Sequence, residues 1–343
     1  MRIQQFVLPA CVGLVIAACS RQPTSDQEIS GSSLSRGGIV RIDGSSTVYP
    51  PTEAIAEEFQ LQSGARVTVG ISGTGGGFKK FCRGETDVQG ASRPILAEEM
   101  KVCNENGIEY VELPICFDAL TVAVHPENDW VDYLSVQELK KVWEPAAQST
   151  IRFWDQIRAG WPHQEIALFG AGSDSGTFDY FTEAIVGEAK SSRGDYTASE
   201  DDNVLVRGIA GNQHALGYLP FAYYAENQSE LKAVPILWEG HTDVPVAPDL
   251  ANVQTGKYQP LGRPLLIYVN AESAGRPEVK EFVEFYLDNG PDLIAEVKYL
   301  PLPEQAYDLA RQRFERLEAG TVFGGELQVG LTIEEILQKE LQK

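Results

Sequence analysis

The chain has 343 residues, 43% of them hydrophobic and 9% aromatic, enough for two lobes with full cores and too apolar for disorder. Its 49 acidic residues outnumber 28 basic ones, giving a net charge of −21. Such a surface repels nucleic acid and gathers no anions, so an anionic ligand must be held by local amides and hydroxyls.

At the N-terminus, Arg2 is a short positive region, and Val7 to Ala18 is apolar apart from Pro9. That length suits the core of a signal peptide and is too short to span a bilayer. It closes on Ile16-Ala17-Ala18-Cys19, small residues before a cysteine, which reads as a lipoprotein box. The alternative is an ordinary secretory signal with an incidental cysteine. The sequence thus predicts a signal peptide over 1–18, lipidation at Cys19 and a flexible tether over 19–37 rich in Ser, Gln, Thr and Gly. No later apolar run approaches the roughly 20 residues of a spanning helix. The expected location is extracytoplasmic, on the periplasmic face, anchored to the membrane through Cys19.

From residue 38 strands and helices alternate. Strands are expected at 39–43, 66–72, 108–113, 119–125, 165–170, 215–219 and 264–270. Helices are expected at 51–62, 76–83, 97–106, 135–143, 177–188, 201–211 and 277–298. From Glu304 the tail is expected to be helical apart from a break at Gly320–Gly325, with 332–342 packing on the globule. Alternation of this kind predicts an α/β protein with largely parallel sheets. The aromatics Tyr218, Phe221, Tyr223 and Tyr224 are read as core, and Asp201-Asp202 as a helix-start signal.

In an oxidising compartment Cys82 and Cys103, on two expected neighbouring helices, form a disulfide candidate, and Cys116 is a small core residue. Four scattered histidines and no CxxC pair argue against a metal site, and nothing calls for a cofactor.

Three strand-to-helix turns share one chemistry: Asp43-Gly44-Ser45-Ser46-Thr47, Ser72-Gly73-Thr74-Gly75-Gly76-Gly77 and Gly172-Ser173-Asp174-Ser175-Gly176-Thr177. A helix N-terminus exposes unpaired amides and about half a positive charge, glycines let backbone approach closely, and hydroxyls add donors. Each turn alone could be ordinary capping. Together, at the carboxyl ends of strands, they predict a cage of neutral donors for an oxyanion. The GxxxxGK[ST], GxGxxG and GxSxG patterns are absent, which argues against a P-loop, a dinucleotide site and a nucleophile elbow.

These turns, with Gly90-Ala91-Ser92-Arg93-Pro94-Ile95 and Asp174-Ser175-Gly176-Thr177-Phe178, resemble those of the phosphate-binding lipoproteins of bacterial phosphate ABC transporters, over about residues 38–320. The resemblance implies a two-lobed periplasmic-binding-protein type II fold with mixed parallel sheets and a hinge of crossing strands. Lobe I would hold 38–118 plus 262–320, lobe II 119–261, and 321–343 would be a C-terminal helical extension. It implies a monomer, not an enzyme, that binds inorganic phosphate and delivers it to a membrane permease. Carried over by position, the ligand contacts are Ser45, Ser46, Thr47, Thr74, Ser175, Gly176 and Thr177. Members carry an arginine just upstream of the third turn and an aspartate at position 93; here those positions hold Ala171 and Arg93. Arg93 is therefore expected to supply the cation, and Asp174 the acceptor for the ligand's proton. A binder of phosphite, arsenate or sulfate, a phosphate sensor and an extracellular phosphatase stay open, the last without a nucleophile or metal cluster to support it.

Overall fold

A computed structural model describes residues 38–341, so the expected signal peptide, Cys19 and the tether lie outside the described residues. The chain begins with β1 (Ile39–Gly44), whose alternate residues Val40 and Ile42 are buried, and α1 (Tyr49–Ser63), with Pro50 and Pro51 in its first turn. Next come β2 (Arg66–Val69), α2 (Thr74–Phe81), β3 (Val88–Ala91), α3 (Ala97–Glu105) and β4 (Tyr110–Val124). The short β3 was not anticipated. It runs into the start of the Gly90–Ile95 motif, where Gly90 and Ala91 hide its strand character.

β4 replaces the two strands expected at 108–113 and 119–125. Pro114 suggests a break, but the strand continues through a bulge: Leu266 of the neighbouring strand pairs with Pro114 and Leu265 with Cys116, leaving Ile115 unmatched. All 15 residues of β4 are buried, matching its near-continuous apolar run. Its first part pairs with the strand Gly262–Asn270, and its last five residues with Ala215–Pro220.

The sheet is mixed, not largely parallel. β2, β1 and β3 are parallel, as are Ala167–Ala171 and its neighbours Thr197–Ser199 and Ala215–Pro220. Gly262–Asn270 runs antiparallel to both β3 and β4, and β4 antiparallel to Ala215–Pro220. β4 and Gly262–Asn270 thus stitch two parallel groups together, and their pairing direction makes the sheet mixed. Helices cover the groups, including Gly176–Val186, Asp202–Ala210 and Pro277–Glu296.

The core is aromatic-rich and falls into a large cluster and a smaller one around Val206, Ile209 and Leu219. Phe181 stacks on Tyr218 at 3.8 Å between centroids, with Trp143 edge-on to both. Tyr218 and Tyr223 are buried, whereas Phe221 and Tyr224 sit half-buried at the rim. Cys82 at the end of α2 is disulfide-bonded to Cys103 in α3, and Cys116 is a free buried thiol.

The tail differs from expectation. It is helical over Glu304–Glu315 and Ile333–Leu341, but residues 316–332 are not, a far longer break than Gly320–Gly325. Tertiary bonds override helix formation here. The Val322 amide donates to Glu112 Oε1 of β4 at 2.9 Å, Ala97 N to the Gly325 carbonyl at 2.9 Å, and Gly330 N to Tyr180 Oη at 3.1 Å. Ile333 and Ile336 of the last helix are buried, so it packs on the globule.

Candidate functional site

The three donor-rich turns meet. α1 and Gly176–Val186 start on hydroxyl-bearing turns whose side chains also shape the backbone. Ser45 Oγ accepts from Thr47 N and Ser175 Oγ from Thr177 N, both at 3.1 Å. Across the turns, Thr47 Oγ1 lies 3.2 Å from Thr177 Oγ1. Thr74 Oγ1 lies 3.2 Å from Ser92 Oγ and accepts from Ser92 N at the same distance. Gly75 N donates to the Asp174 carbonyl at 2.9 Å, tying the second turn to the third.

Two glycines make this contact sterically feasible. A Cβ on Gly176 would stand 2.4 Å from Thr74 Oγ1 and 2.5 Å from Ser92 Oγ. Gly73 has φ +74° and its Cβ would fall 2.4 Å from the Asp174 carbonyl oxygen. Ser45, Ser46, Thr47, Thr74, Ser92, Ser175 and Thr177 are all buried.

The cation of this cluster is Arg263, at the start of the strand Gly262–Asn270. It is fully buried, and its Nη2 donates to Thr177 Oγ1 at 2.9 Å and Thr47 Oγ1 at 3.2 Å. Its Nε and Nη2 also reach Asp118 Oδ2 in β4 at 3.0 and 2.8 Å. Asp118 balances the guanidinium and fixes its plane. Because Arg263 donates to the threonine oxygens, their hydroxyl protons are directed away from it, as donors. Three helix N-termini, buried hydroxyls and one oriented guanidinium suit an oxyanion.

Two expectations for this site need correction. Arg93 is buried but not in the cluster. Its Nε donates to Asp179 Oδ2 at 2.6 Å, and Nη1 and Nη2 each donate to one oxygen of Glu99 at 2.8 Å. Nη1 also donates to the Pro94 carbonyl at 3.0 Å. A buried guanidinium held by two carboxylates is a structural ion pair, the alternative that spacing alone could not reject. Nor is Asp174 an acceptor inside the cage. Its carboxylate is 46% exposed and pairs with Lys79 Nζ at 2.7 Å. What it contributes is backbone, through its carbonyl to Gly75 and its amide, which donates to Glu200 Oε1 at 3.0 Å.

A cavity of about 240 Å³ lies over Arg93, lined by Gly75, Phe78, Lys79, Glu99, Asp174 and Lys190 and by none of the clustered hydroxyls. Donor groups are concentrated at the clustered hydroxyls, whereas at this opening four of the five N–H groups of Arg93 are already given to Asp179, Glu99 and the Pro94 carbonyl.

Sequence reading also missed Asp202. Asp201 caps the helix Asp202–Ala210, accepting from Asn203 N at 2.9 Å, while Asp202 turns inward and is 2% exposed. Ser46 hydrogen-bonds its carboxyl, and burial pushes its pKa up to about 7. Tyr223, whose hydroxyl donates to the Ser46 carbonyl at 3.2 Å, packs nearby. The available signal for Arg263 and Asp118 was a lone charge inside an apolar strand. Among the described residues there is no His/Cys/Asp/Glu cluster able to hold a metal, and no helix long and apolar enough to cross a membrane.

Comparison with known proteins identifies the family. The family model for a PBP superfamily domain matches residues 21–289. Protein SphX of Synechocystis sp. is 48% identical over 99% of this chain and 97% of its own length. The phosphate-binding protein PstS of Staphylococcus saprophyticus is 34% identical, covering 79% of this chain and 82% of its own. A putative phosphate ABC transporter substrate-binding protein from Clostridium perfringens, solved with bound phosphate, superposes with a TM-score of 0.64. It is 25% identical and covers 78% of this chain and 100% of its own. The chain belongs to the periplasmic-binding-protein-like family of phosphate ABC transporter substrate-binding proteins. Members are extracytoplasmic transport components and not enzymes.

Proposed function

We propose that the protein captures inorganic phosphate outside the cytoplasm and delivers it to the permease of an ABC transporter, held to the membrane by a lipid on Cys19. The observation that carries the reading is the meeting of three helix-starting turns, two of which present hydroxyls to the buried Arg263. The bound ion would contact Ser45, Ser46, Thr47, Thr74, Ser175, Gly176 and Thr177, with Arg263 in the place assigned from sequence to Arg93. The phosphate named for the staphylococcal and clostridial relatives supports the choice of ion.

In this reading residues 38–118 plus 262–320 and residues 119–261 are lobes that close over the ion as a monomer. The division of β4 between two pairing partners supports a hinge there, with Gly262–Asn270 alongside. Calorimetry on the tag-free protein, unfolded and refolded to remove carried-over ligand, tests the proposal. Phosphate should bind one to one, with arsenate competing. Binding of sulfate or phosphite with none of phosphate would overturn it.

A further inference from the structure

We propose that Asp202 is protonated when the site is occupied, donating a hydrogen bond to the captured oxyanion, so that each anion bound takes up a proton from solution. The inference rests on the phosphate-binding reading above and concerns how the cage balances charge.

Geometry leads to it. Asp202 is 2% exposed, and its Oδ2 atom is buried without a hydrogen-bond partner. Its other contact within the cage is the Ser46 side chain, in the first donor turn. No cation reaches it. Arg263 is the nearest charge of opposite sign, and its Nε and Nη2 are turned to Asp118 while Nη1 points at the Ser92 carbonyl at 3.4 Å. The other groups facing Asp202 are Asp118 on β4, Asp201 beside it, Tyr223 on the helix Phe221–Glu226, and Tyr299. Tyr223 and Tyr299 are held neutral by burial, and the two aspartates oppose ionisation.

An ionised Asp202 would thus add a second carboxylate to a pocket with one guanidinium, and an oxyanion against Ser46 would add more negative charge within hydrogen-bond range. Burying an unpaired charge costs far more than burying its neutral form. The N-terminus of its own helix would favour the carboxylate, but Asp201 already caps it. A pKa near 7 before the anion arrives can only rise once it is bound. The proton comes from solvent, and the neutral carboxyl then fills the partnerless position at Oδ2 by donating to the ligand.

The test is calorimetric titration with inorganic phosphate at about pH 8, where phosphate is already mostly the monohydrogen dianion, in two buffers of different ionisation enthalpy. The wild type should take up about 0.5–1 proton per phosphate, because most unliganded Asp202 is ionised at that pH. Asp202→Asn should reduce the uptake to near zero and keep phosphate affinity within about tenfold, its amide N–H replacing the carboxyl O–H. A thermal melt of the variant checks that it folds. Tight phosphate binding by the wild type with uptake under about 0.1 proton, or uptake unchanged in Asp202→Asn, overturns the inference and leaves the phosphate reading standing. A wild type that binds no phosphate overturns both.

Discussion

Arg263 Nη2 lies 2.8 Å from Asp118 Oδ2, with both side chains fully buried, one at the head of Gly262–Asn270 and the other inside β4. The pair joins adjacent strands, and the same guanidinium reaches the hydroxyls that begin two helices. One interaction therefore serves folding and ligand orientation.

These roles are separable. Arg263→Ala should destabilise the fold by about 3–5 kcal/mol, because Asp118 is left buried without its counter-charge. Adding Asp118→Asn should recover part of that stability, read by urea unfolding, while phosphate affinity stays lost. Recovery of binding with stability would mean that Arg263 acts only on the fold.

Arg93 predicts the opposite pattern. Arg93→Met removes the partner of Glu99 and Asp179 and should lower the unfolding free energy by several kcal/mol, on the order of a broken buried pair. Phosphate affinity of the folded protein should change by less than about tenfold, a minor share of ion binding.

Among the turn residues, Thr177→Val removes a buried hydroxyl held by Arg263 and should weaken phosphate about tenfold or more, the loss expected for a hydrogen bond to a charged ligand. Asp174→Asn changes only a half-exposed pair with Lys79 and should alter affinity less than about threefold. Equal losses in the two variants would place the ion nearer the outer cavity than the hydroxyls.

The unliganded protein should also show Asp202 in its stability. Its folded pKa is raised to about 7 from 3.8, so the native state binds the proton more tightly than the unfolded chain. Stability is thus greatest below the unfolded value and falls as pH rises through the folded one. Asp202→Asn should raise the melting temperature of ligand-free protein above about pH 7, with the gain shrinking below about pH 4. A gain independent of pH would assign the effect to packing.

The Cys82–Cys103 bond spans 21 residues between α2 and α3. Reduction should cost roughly 3 kcal/mol in the chain-entropy description. Because α2 opens with Thr74, the reduced protein should bind phosphate with unchanged stoichiometry but release it faster in stopped-flow measurements.

Sequence by itself determined the alternation of elements and the three donor turns, and offered Cys82 and Cys103 as a disulfide candidate. The first two are local properties: a strand ending in Gly, Ser and Thr before a helix leaves few other conformations, and hydrophobic periodicity follows one element at a time. It did not determine which charges enter the site. Arg93 lies in the Gly90–Ile95 motif and Asp174 in the third turn, yet their side chains go to Glu99 with Asp179 and to Lys79. Arg263 is 86 residues from Thr177, and Asp202 looked like one of two interchangeable capping acids. Only the mixed pairing of β4 with Gly262–Asn270 carries Arg263 to Asp118 and the turns, and only close packing turns Asp202 inward while Asp201 stays at the surface. A buried charge is placed by whatever can neutralise it in three dimensions, and that partner has no fixed distance along the chain.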